Sequence, residues 1–322
     1  MVIIMIINNE GLRRILMIEL ARNTKEKIKM KIDENYEIPV WTICGKEEGK
    51  TLIITAGVHG CEYVGIESIK KIYNMIDSKD IKGNIVILPL TNQEGFYSGS
   101  KQVNPIDNKN LNREFLSDTD TITDRIVRFI KQEIYTIADF ILDLHGGDIN
   151  ESMTPLVFCP GQASEEVNRI SEEAAMHLPV NYRIPTSSKN GLYSCATSNG
   201  IPGLLLEIGG NGRYSKPEVE MCIEGVFGVM SYLELIDKRE VNQNQKRAKK
   251  AVYDGSISKG YWYPEVTTNQ QIKEGDLVGT LKDIDDNIIA EYKAQFDATV
   301  MYYTTSLGVD KGDHLICYAQ FN

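Results

Sequence analysis

Short apolar runs alternate with amphipathic segments along the larger, N-terminal part of the chain, and this alternation most constrains the fold. The runs are TLIITAG (51–57), GNIVILPL (83–90), FILDLHGG (140–147) and GLLLEIGG (203–210). Continuous apolar sequence is typical of strands that are buried on both faces. The segments between them, such as EYVGIESIKKIYNMI, repeat apolar residues at helical spacing. Alternating strands and helices predict an α/β sandwich with a largely parallel sheet.

The sequence changes character near residue 240, where the polar segment KREVNQNQKRAKK begins. Beyond it, short strand-like runs such as GYWYPEV, ATVMYYTTS and HLICYAQF recur between turn signals, without a long helical pattern. A chain of 322 residues exceeds what one core usually holds. We therefore predict an α/β domain over 1–245, with N-terminal strands in 1–45, and a small all-β domain over 250–322.

Composition and charge exclude two classes of partner. The formal net charge is -10, and an acidic surface repels phosphate backbones, which argues against nucleic-acid binding. No apolar run approaches the length that a bilayer span requires, so we expect no membrane insertion. Hydrophobic residues make up 42% of the chain, which is enough for a packed core. A small-molecule ligand remains the expected partner, and homo-oligomerisation is left open.

The N-terminal run MVIIMII is a poor signal peptide, because it is short and lacks a basic leader and a cleavage site. It is either a first strand or an extension upstream of a true start at Met17 rather than Met1. The six cysteines form no C-x-x-C pair, and most lie in apolar runs. These features together predict a cytoplasmic protein without a disulfide framework.

Ionisable side chains stand where three of the apolar runs end. His59 and Glu62 follow the first run, His145 ends the third, and Glu207 lies in the fourth. Ligands of open α/β sheets bind outside the carboxyl ends of the strands, so these four side chains should converge at one edge. Adjacent glycines suggest that the backbone approaches a ligand closely there. Asp143 is placed to orient the His145 ring or is an ordinary strand-end carboxylate.

Two imidazoles and one carboxylate form a standard catalytic zinc set that leaves a position open for water. Zinc lowers the pKa of bound water to about 7, and a further carboxylate such as Glu207 can then act as general base and proton donor. Each residue alone has a structural alternative. A strand-end carboxylate can cap the next helix, and a strand-end histidine can be a hydrogen-bonded core residue.

Four motifs occur in the order AGVHGCEYVG, NPIDNKNLNREF, LDLHGG and GIPGLLLEIGG. In this order they resemble the succinylglutamate desuccinylase and aspartoacylase family, which is related to the zinc carboxypeptidases, over roughly 40–320. The resemblance implies a carboxypeptidase-like three-layer α/β/α sandwich with a mostly parallel mixed sheet. It also implies one zinc ion on His59, Glu62 and His145, with Glu207 as catalytic carboxylate. The implied reaction is hydrolysis of a non-peptide amide between an acyl group and a small amine or amino acid.

The long loop adds candidate substrate contacts. In the family, the pair matched by Asn112 and Arg113 binds the substrate carboxylate, and a guanidinium grips a carboxylate through two parallel bonds. Relatives often carry an arginine shortly before the Asn-Pro of this loop, where this chain offers Lys101. Lysine brings charge without the bidentate fork. Cys61 replaces a residue that is more often polar or acidic in the family, and is either a soft ligand or a packed side chain.

Two further residues are candidates for the binding site. Arg213, in GGNGRY, is a second candidate anchor for a carboxylate. Tyr193, in SSKNGLYSCATSNG, is either a donor to the tetrahedral intermediate or a packing residue. His177 and His314 lack metal-like spacing to the other histidines, and we interpret both as structural.

The motifs leave two alternative functions open. A metallocarboxypeptidase or cell-wall peptide amidase would use the same metal set on a peptide. A binding module without catalytic activity would retain the fold, although all four zinc-site residues are present in this chain. Turnover of peptides would favour the first alternative, and absence of bound metal would favour the second.

Overall fold

The computed structural model describes residues 18–322. The expectations for MVIIMII and for a start at Met1 or Met17 lie outside the described residues. Within the described part, no helix is long and apolar enough to cross a membrane.

Helices occur between the strands of the N-terminal part, as the alternating pattern predicts. Their bounds are α1 (Tyr63–Met75), α2 (Gln93–Ser98), α3 (Ile122–Phe129), α4 (Glu165–Ala175), α5 (Leu192–Ser198) and α6 (Lys216–Tyr232). Helix α6 begins with a capping box in which Ser215 and Glu218 exchange hydrogen bonds, and proline occupies its first turn.

The strands fall into a group before α6 and a group after it. The first group is β1 (Thr24–Lys31), β2 (Glu37–Cys44), β3 (Glu47–Ala56), β4 (Lys82–Leu88), β5 (Phe140–His145), β6 (Glu151–Met153), β7 (Leu156–Pro160), β8 (Tyr182–Thr186) and β9 (Gly203–Glu207). The second group is β10 (Lys246–Gly255), β11 (Gly260–Pro264), β12 (Gln271–Ile272), β13 (Leu277–Lys282), β14 (Ile288–Lys293), β15 (Ala298–Thr304), β16 (Gly308–Val309) and β17 (His314–Phe321).

The main sheet has the order β1-β2-β4-β3-β5-β9-β7-β8-β10-β17-β15-β12. Its centre is parallel from β4 through β3 and β5 to β9, while β1, β2 and β7 join their neighbours in antiparallel fashion. A separate antiparallel sheet has the order β14-β13-β11-β16. The sheet is mixed, with a parallel centre, and together with the β-rich C-terminal part it agrees with the predicted fold class.

Helices cover both faces of the central strands. Leu52 and Ile54 of β3 pack with α1, α4 and α6 in one apolar cluster, whereas Ile53 packs with α3 and α5 in another. The same alternation holds for β5, where Leu142 and Ile141 belong to the two different clusters. Because successive side chains of a strand point to opposite faces, such strands must be apolar throughout. The result is the expected three-layer α/β/α arrangement.

The segment DTITDRIVRFIKQEIYTIA lies between two of the apolar runs and is largely helical, but it is not one α-helix. Helix α3 ends at Phe129 and continues as a π-helical turn over Ile130–Ile134, followed by a short 3-10 turn. The wider turn keeps Ile130, Ile134 and Tyr135 buried together in the core. Periodicity alone did not indicate α2, α5, β6 or β8, which are short and follow polar or glycine-containing sequence.

The C-terminal strands are joined to the α/β part through hydrogen bonds. Strand β10 pairs in parallel with β8 at Lys246 and Arg247, then continues antiparallel to β17. Strand β6 pairs with β15 over Tyr302–Thr304. The main sheet therefore runs without interruption from the α/β part into the C-terminal part.

Candidate metal centre

The loop between β3 and α1 brings His59 and Glu62 together. His59 Nδ1 lies 2.6 Å from Glu62 Oε1. Glu62 occupies the N-cap position of α1, yet its side chain makes no capping hydrogen bond. Its second oxygen, Oε2, lies 2.8 Å from Nδ1 of His145 and accepts a hydrogen bond from the Gly146 amide at 3.2 Å. The carboxylate therefore joins two imidazoles instead of capping the helix.

His145 ends the central strand β5 and completes the set. Its Nε2 lies 3.2 Å from Asp143 Oδ2, although neither atom makes a hydrogen bond in the described residues. Asp143 is itself held by the hydroxyl of Thr55, which donates to Oδ1 at 2.6 Å. The two imidazole rings stand edge to face, with centroids 5.0 Å apart. Asp143 is therefore placed beside the ring nitrogen that does not face Glu62.

Opposite charges dominate the electrostatics of this cluster. Burial would raise the pKa of Glu62, but the His59 and His145 imidazoles outweigh burial and lower it to about 2. Burial would lower the pKa of His145, but the Asp143 and Glu62 carboxylates raise it well above its ordinary value. The site thus favours a cation among these side chains, whether that cation is a proton or a metal ion.

The donor set fits a divalent metal ion. One ligand atom each from His59, Glu62 and His145 lies within 4.8 Å of the others, and all three side chains are buried. Nε2 of His59 lies 3.1 Å from Oδ1 of Asn110, which can fix the ring so that Nδ1 is free to coordinate. Two imidazoles and one carboxylate, with a fourth position open, are the ligands of a catalytic zinc site.

Glu207 lies directly beside His145, because β9 and β5 are parallel neighbours that pair these residues. The carboxyl is buried, and its Oε2 has no hydrogen-bond partner in the described residues. Burial raises the pKa of Glu207 well above its ordinary value. The His145 imidazole lowers this pKa, and the Glu62 and Glu151 carboxylates raise it further. Such a carboxyl is suited to carry a proton at neutral pH.

The glycines beside these residues also have a packing role that the sequence did not indicate. A Cβ on Gly60 would lie 2.1 Å from the amide nitrogen of Phe96, and one on Gly146 would lie 2.5 Å from the carbonyl oxygen of Ile208. Both contacts are with neighbouring backbone, and Gly146 also lines the candidate cavity. The absence of side chains therefore lets the loops pack tightly enough to converge at one edge of the sheet.

The long loop before α3 presents its motif to the same site. Asn112 is buried, and its Oδ1 accepts a hydrogen bond from the Leu192 amide at 2.8 Å, which ties the loop to α5. Arg113 is exposed, and its Nη1 donates to the carbonyl of Asn112 at 2.9 Å. Arg113 makes no ion pair within residues 18–322. Its guanidinium is therefore available to an anionic group of a ligand.

A cavity of about 240 Å³ opens above these residues. His59, Glu62, His145, Glu207, Asn112, Arg113 and Tyr193 all line it, so the structure brings seven sequence-predicted residues together. Tyr193 is buried, and its hydroxyl has no partner in the described part of the chain.

Two predicted residues stand apart from this cavity. Lys101 is not among its lining residues, although its Nζ is 3.9 Å from Oδ2 of the lining residue Asp148. Arg213 lines a different surface cavity together with Ile149 and Tyr214.

Sequence reasoning missed several lining residues. Asp148 lies in the loop after His145 and Glu151 begins β6, while Tyr302 and His314 come from the C-terminal strands. His314, which we interpreted as structural, is exposed and lines the cavity. The nearness of Asp148 to His145 in sequence was a usable signal. The C-terminal residues offered none, since only the pairing of β15 and β17 in the main sheet brings them to the cavity.

Cys61 packs away from the metal-binding set. It is buried, and its Sγ donates a hydrogen bond to Oδ1 of Asp148 at 3.1 Å. Burial, together with the Asp148 and Glu62 carboxylates, raises the pKa of this thiol far above its ordinary value. A thiol held in its neutral form is a poor metal ligand.

Comparison with known proteins identifies the family of this fold and site. The succinylglutamate desuccinylase/aspartoacylase catalytic domain matches residues 48–233. The chain is 24% identical over 296 residues to N-alpha-acetyl-L-2,4-diaminobutyric acid deacetylase of Halomonas elongata, which covers 88% of this chain and 85% of that protein.

Solved structures share the whole architecture. A product-bound ectoine utilization protein from Ruegeria pomeroyi matches with a TM-score of 0.84 and 20% identity, over 94% of this chain and 97% of that one. A succinylglutamate desuccinylase/aspartoacylase from Rhodobacter sphaeroides matches with a TM-score of 0.83 and 21% identity, over 95% of this chain and 98% of that one. The catalytic-domain match spans more than half of the chain, and the protein therefore belongs to the succinylglutamate desuccinylase/aspartoacylase family.

Proposed function

We propose that this protein is a zinc-dependent deacylase that hydrolyses the amide bond of a small N-acylated amino acid or amine. The observation that carries the proposal is the buried His59, Glu62 and His145 set, with the unpartnered carboxyl of Glu207 beside it on one cavity wall. Family membership and the deacetylase relative support the same reaction class.

Each residue has a distinct part in the proposed reaction. His59, Glu62 and His145 would hold one zinc ion per chain, and Asn110 and Asp143 would orient the two imidazoles. Zinc supplies a Lewis acid that polarises a carbonyl and lowers the pKa of water to about 7.

Glu207 would handle the proton. Its Oε2, which has no partner in the described residues, would take a proton from the attacking water and pass it to the departing amine. The raised pKa of Glu207 makes the protonated form accessible at neutral pH, as the second transfer requires.

Arg113 is the proposed anchor for the substrate. Its exposed guanidinium faces the cavity and could grip the α-carboxylate of an N-acyl amino acid through two parallel hydrogen bonds. Asn112 would set the position of this arginine through its own bond to α5. Tyr193 and Lys101 remain proposed contributors to binding or oxyanion stabilisation. The proposal gives Arg213 no contact with substrate at this cavity, because it lies elsewhere on the surface.

The cavity size supports a small substrate over a peptide. The C-terminal strands contribute Tyr253, Tyr302 and His314 to the cavity wall, and the enclosed volume is about 240 Å³. A peptidase needs an open cleft that accommodates residues on both sides of the cleaved bond. We further propose that the chain works in the cytoplasm, which its six buried, unpaired cysteines support.

Metal analysis combined with a substrate panel tests the proposal. Purified protein would be assayed for metal by elemental analysis and for hydrolysis of N-acetyl, N-succinyl and N-aspartyl amino acids, with short peptides alongside. We expect about one zinc per chain and turnover of one acyl class. Zinc with turnover of peptides alone would support a metallopeptidase instead. Protein that binds no metal and hydrolyses none of the compounds would overturn the proposal.

A further inference from the structure

Two carboxylates line the cavity without a part in the proposed deacylation. Asp148 and Glu151 lie in the loop and short strand that follow His145. They are close neighbours, since the Glu151 amide donates to the Asp148 carbonyl at 3.1 Å and Glu151 Oε2 lies 3.4 Å from the Asp148 amide. Neither belongs to the metal-binding set. Their role has to be explained by something other than the metal centre.

Asp148 is a buried carboxylate with one free oxygen. Only 3% of the residue is exposed. Its Oδ1 is fully used, because it accepts hydrogen bonds from the Cys61 thiol at 3.1 Å and from the Ile149 amide at 2.7 Å. Its Oδ2 has no hydrogen-bond partner in the described residues, and the exposed Lys101 ammonium is 3.9 Å away. A buried carboxylate oxygen left in this state is costly unless a donor reaches it.

Glu151 is fixed beside Asp148 by the sheet. Strand β6 pairs with β15, which sets the position of Glu151 opposite Thr304. Burial raises the pKa of Glu151 to about 8, the Asp148 and Glu62 carboxylates add to the shift, and Lys101 opposes it. A cation bound at this point would relieve the repulsion among these carboxylates.

The other charged groups of the cavity leave this acidic pair without a close cationic partner. Glu62 and Glu207 would be offset by a divalent metal ion, and Arg113 by a carboxylate of the substrate. The acidic groups that remain at the cavity are Asp148 and Glu151, with the exposed Lys101 as a weak neighbour. Because its pKa is about 8, Glu151 is mostly protonated at neutral pH and would ionise when a cation binds beside it. A substrate that supplies an ammonium group would balance them, and it would donate to the free oxygen of Asp148.

We propose that Asp148 and Glu151 form an anionic subsite for the side-chain ammonium group of the substrate, so that the enzyme prefers N-acylated diamino acids. The inference rests on the proposed deacylase function for the identity of the reaction. It assigns substrate specificity to two residues that lie outside the metal set.

Matched substrates test the subsite. The pairs are Nα-acetyl-2,4-diaminobutyrate with Nα-acetylnorvaline, and Nα-acetylornithine with Nα-acetylnorleucine, in which a methyl group replaces the ammonium. We expect the metal-loaded enzyme to prefer the cationic member of one pair by about ten-fold or more in kcat/KM, as for a charged hydrogen-bonded pair. Asp148→Asn and Glu151→Gln should each reduce this ratio several-fold. Lys101→Ala should raise it, because the competing cation is removed.

Asp285→Asn serves as the control, since Asp285 is exposed in the turn between β13 and β14. This variant should keep the wild-type ratio. A ratio near one in the wild type would overturn the inference. A ratio that neither Asp148→Asn nor Glu151→Gln reduces would also overturn the inference. Two separate variants are used so that the test still holds if one of them misfolds.

A binding measurement separates this inference from the proposed function. Calorimetry would compare 2,4-diaminobutyrate with norvaline on metal-loaded wild type and Asp148→Asn. If no acyl compound is hydrolysed but the diamino acid binds more tightly and Asp148→Asn removes the difference, the deacylase proposal fails and the subsite stands. If neutral substrates are hydrolysed and neither turnover nor binding depends on the ammonium group, the subsite proposal is wrong and the deacylase proposal is supported.

Discussion

At the scale of single residues, the candidate site depends on where strand-end side chains point. Leu206 of β9 joins the cluster below α1 and α6, so Glu207, one residue later, points to the opposite face. Leu144 and His145 of β5 are related in the same way. Pairing of His145 with Glu207 then places the proposed metal ligand and the proposed general base side by side.

Glu207→Gln should remove nearly all turnover while the metal stays bound. Glutamine keeps the shape of the side chain but cannot take a proton from water, so kcat should fall by about 10²-fold or more. Elemental analysis should still find about one zinc per chain, because His59, Glu62 and His145 are unchanged. Thermal unfolding serves as the control for folding. Activity within a few-fold of wild type would remove Glu207 from the proposed mechanism.

The strand-end residues could be predicted from sequence because each follows a long apolar run, and parallel strands end at a common edge. Glu151 was missed, since its position depends on the pairing of β6 with β15, about half the chain away. Asp148 was missed although it follows His145 by only three residues. The packing role of the glycines was missed for a related reason. A close approach was correctly inferred, but sequence did not indicate that the approaching group is backbone.

At the scale of elements, Asp124 links the substrate loop to α3. The start of α3 is held by its Oδ2, which accepts hydrogen bonds from the amide and hydroxyl of Thr121 and from the hydroxyl of Thr119. The same oxygen accepts from Lys109 Nζ at 2.9 Å. Lys109 directly precedes Asn110 and the loop motif that carries Arg113. The helix end thereby holds the loop in position over the cavity.

Asp124→Asn should destabilise the protein at neutral pH by about 2 kcal/mol, because hydrogen bonds to a charged acceptor are lost. Burial would raise the pKa of Asp124, but these hydrogen bonds together outweigh burial and lower it in the folded state. The stabilisation is therefore complete above the unfolded pKa of about 3.9 and is lost as the pH falls further. Urea unfolding midpoints from pH 7 to pH 3 should show wild type and variant converging in acid.

Asp118→Asn is the matched control, since Asp118 is an exposed carboxylate in the same loop. Its effect should be small at every pH. Equal losses in the two variants, or a difference for Asp124→Asn that persists unchanged at pH 3, would contradict the assigned role.

The long strands and helices could be predicted because their patterns are long enough to show a period. Helix α5 was missed, since it is a seven-residue element in a segment rich in serine and glycine. Two hydrogen bonds hold the start of this helix: the Leu192 amide donates to Asn112 Oδ1, and the Gly191 amide donates to Ser194 Oγ at 3.0 Å. Contacts of this kind come from tertiary structure, which local pattern does not record.

At the scale of the whole molecule, the two proposed domains, 1–245 and 250–322, share part of their hydrophobic core. One apolar cluster combines Leu156 and Ile184 of the α/β part with Met301 and Cys317 of the C-terminal strands. The main sheet also crosses the proposed boundary at β10. We infer that the two parts are distinct in fold but unfold together.

Met301→Ala should therefore destabilise both parts. Met301 is fully buried in the shared cluster, and its truncation should cost about 2–5 kcal/mol. The fluorescence of the two tryptophans reports on the unfolding of the two parts separately, since Trp41 lies in β2 and Trp262 in β11. In Trp41→Phe and Trp262→Phe backgrounds, the fluorescence midpoint in urea should shift equally on adding Met301→Ala. A shift confined to Trp262 would mean that the two parts unfold independently.

The pairing of β6 with β15 also has a consequence for protein synthesis. The ribosome releases the metal-binding edge and β6 well before β15, and at ordinary elongation rates the delay is on the order of ten seconds. During that interval Leu156, Tyr182 and Ile184 lack the strands that later cover them. The nascent chain therefore exposes the apolar side chains of an incomplete sheet. We expect chaperones that bind emerging polypeptides to bind it during this interval.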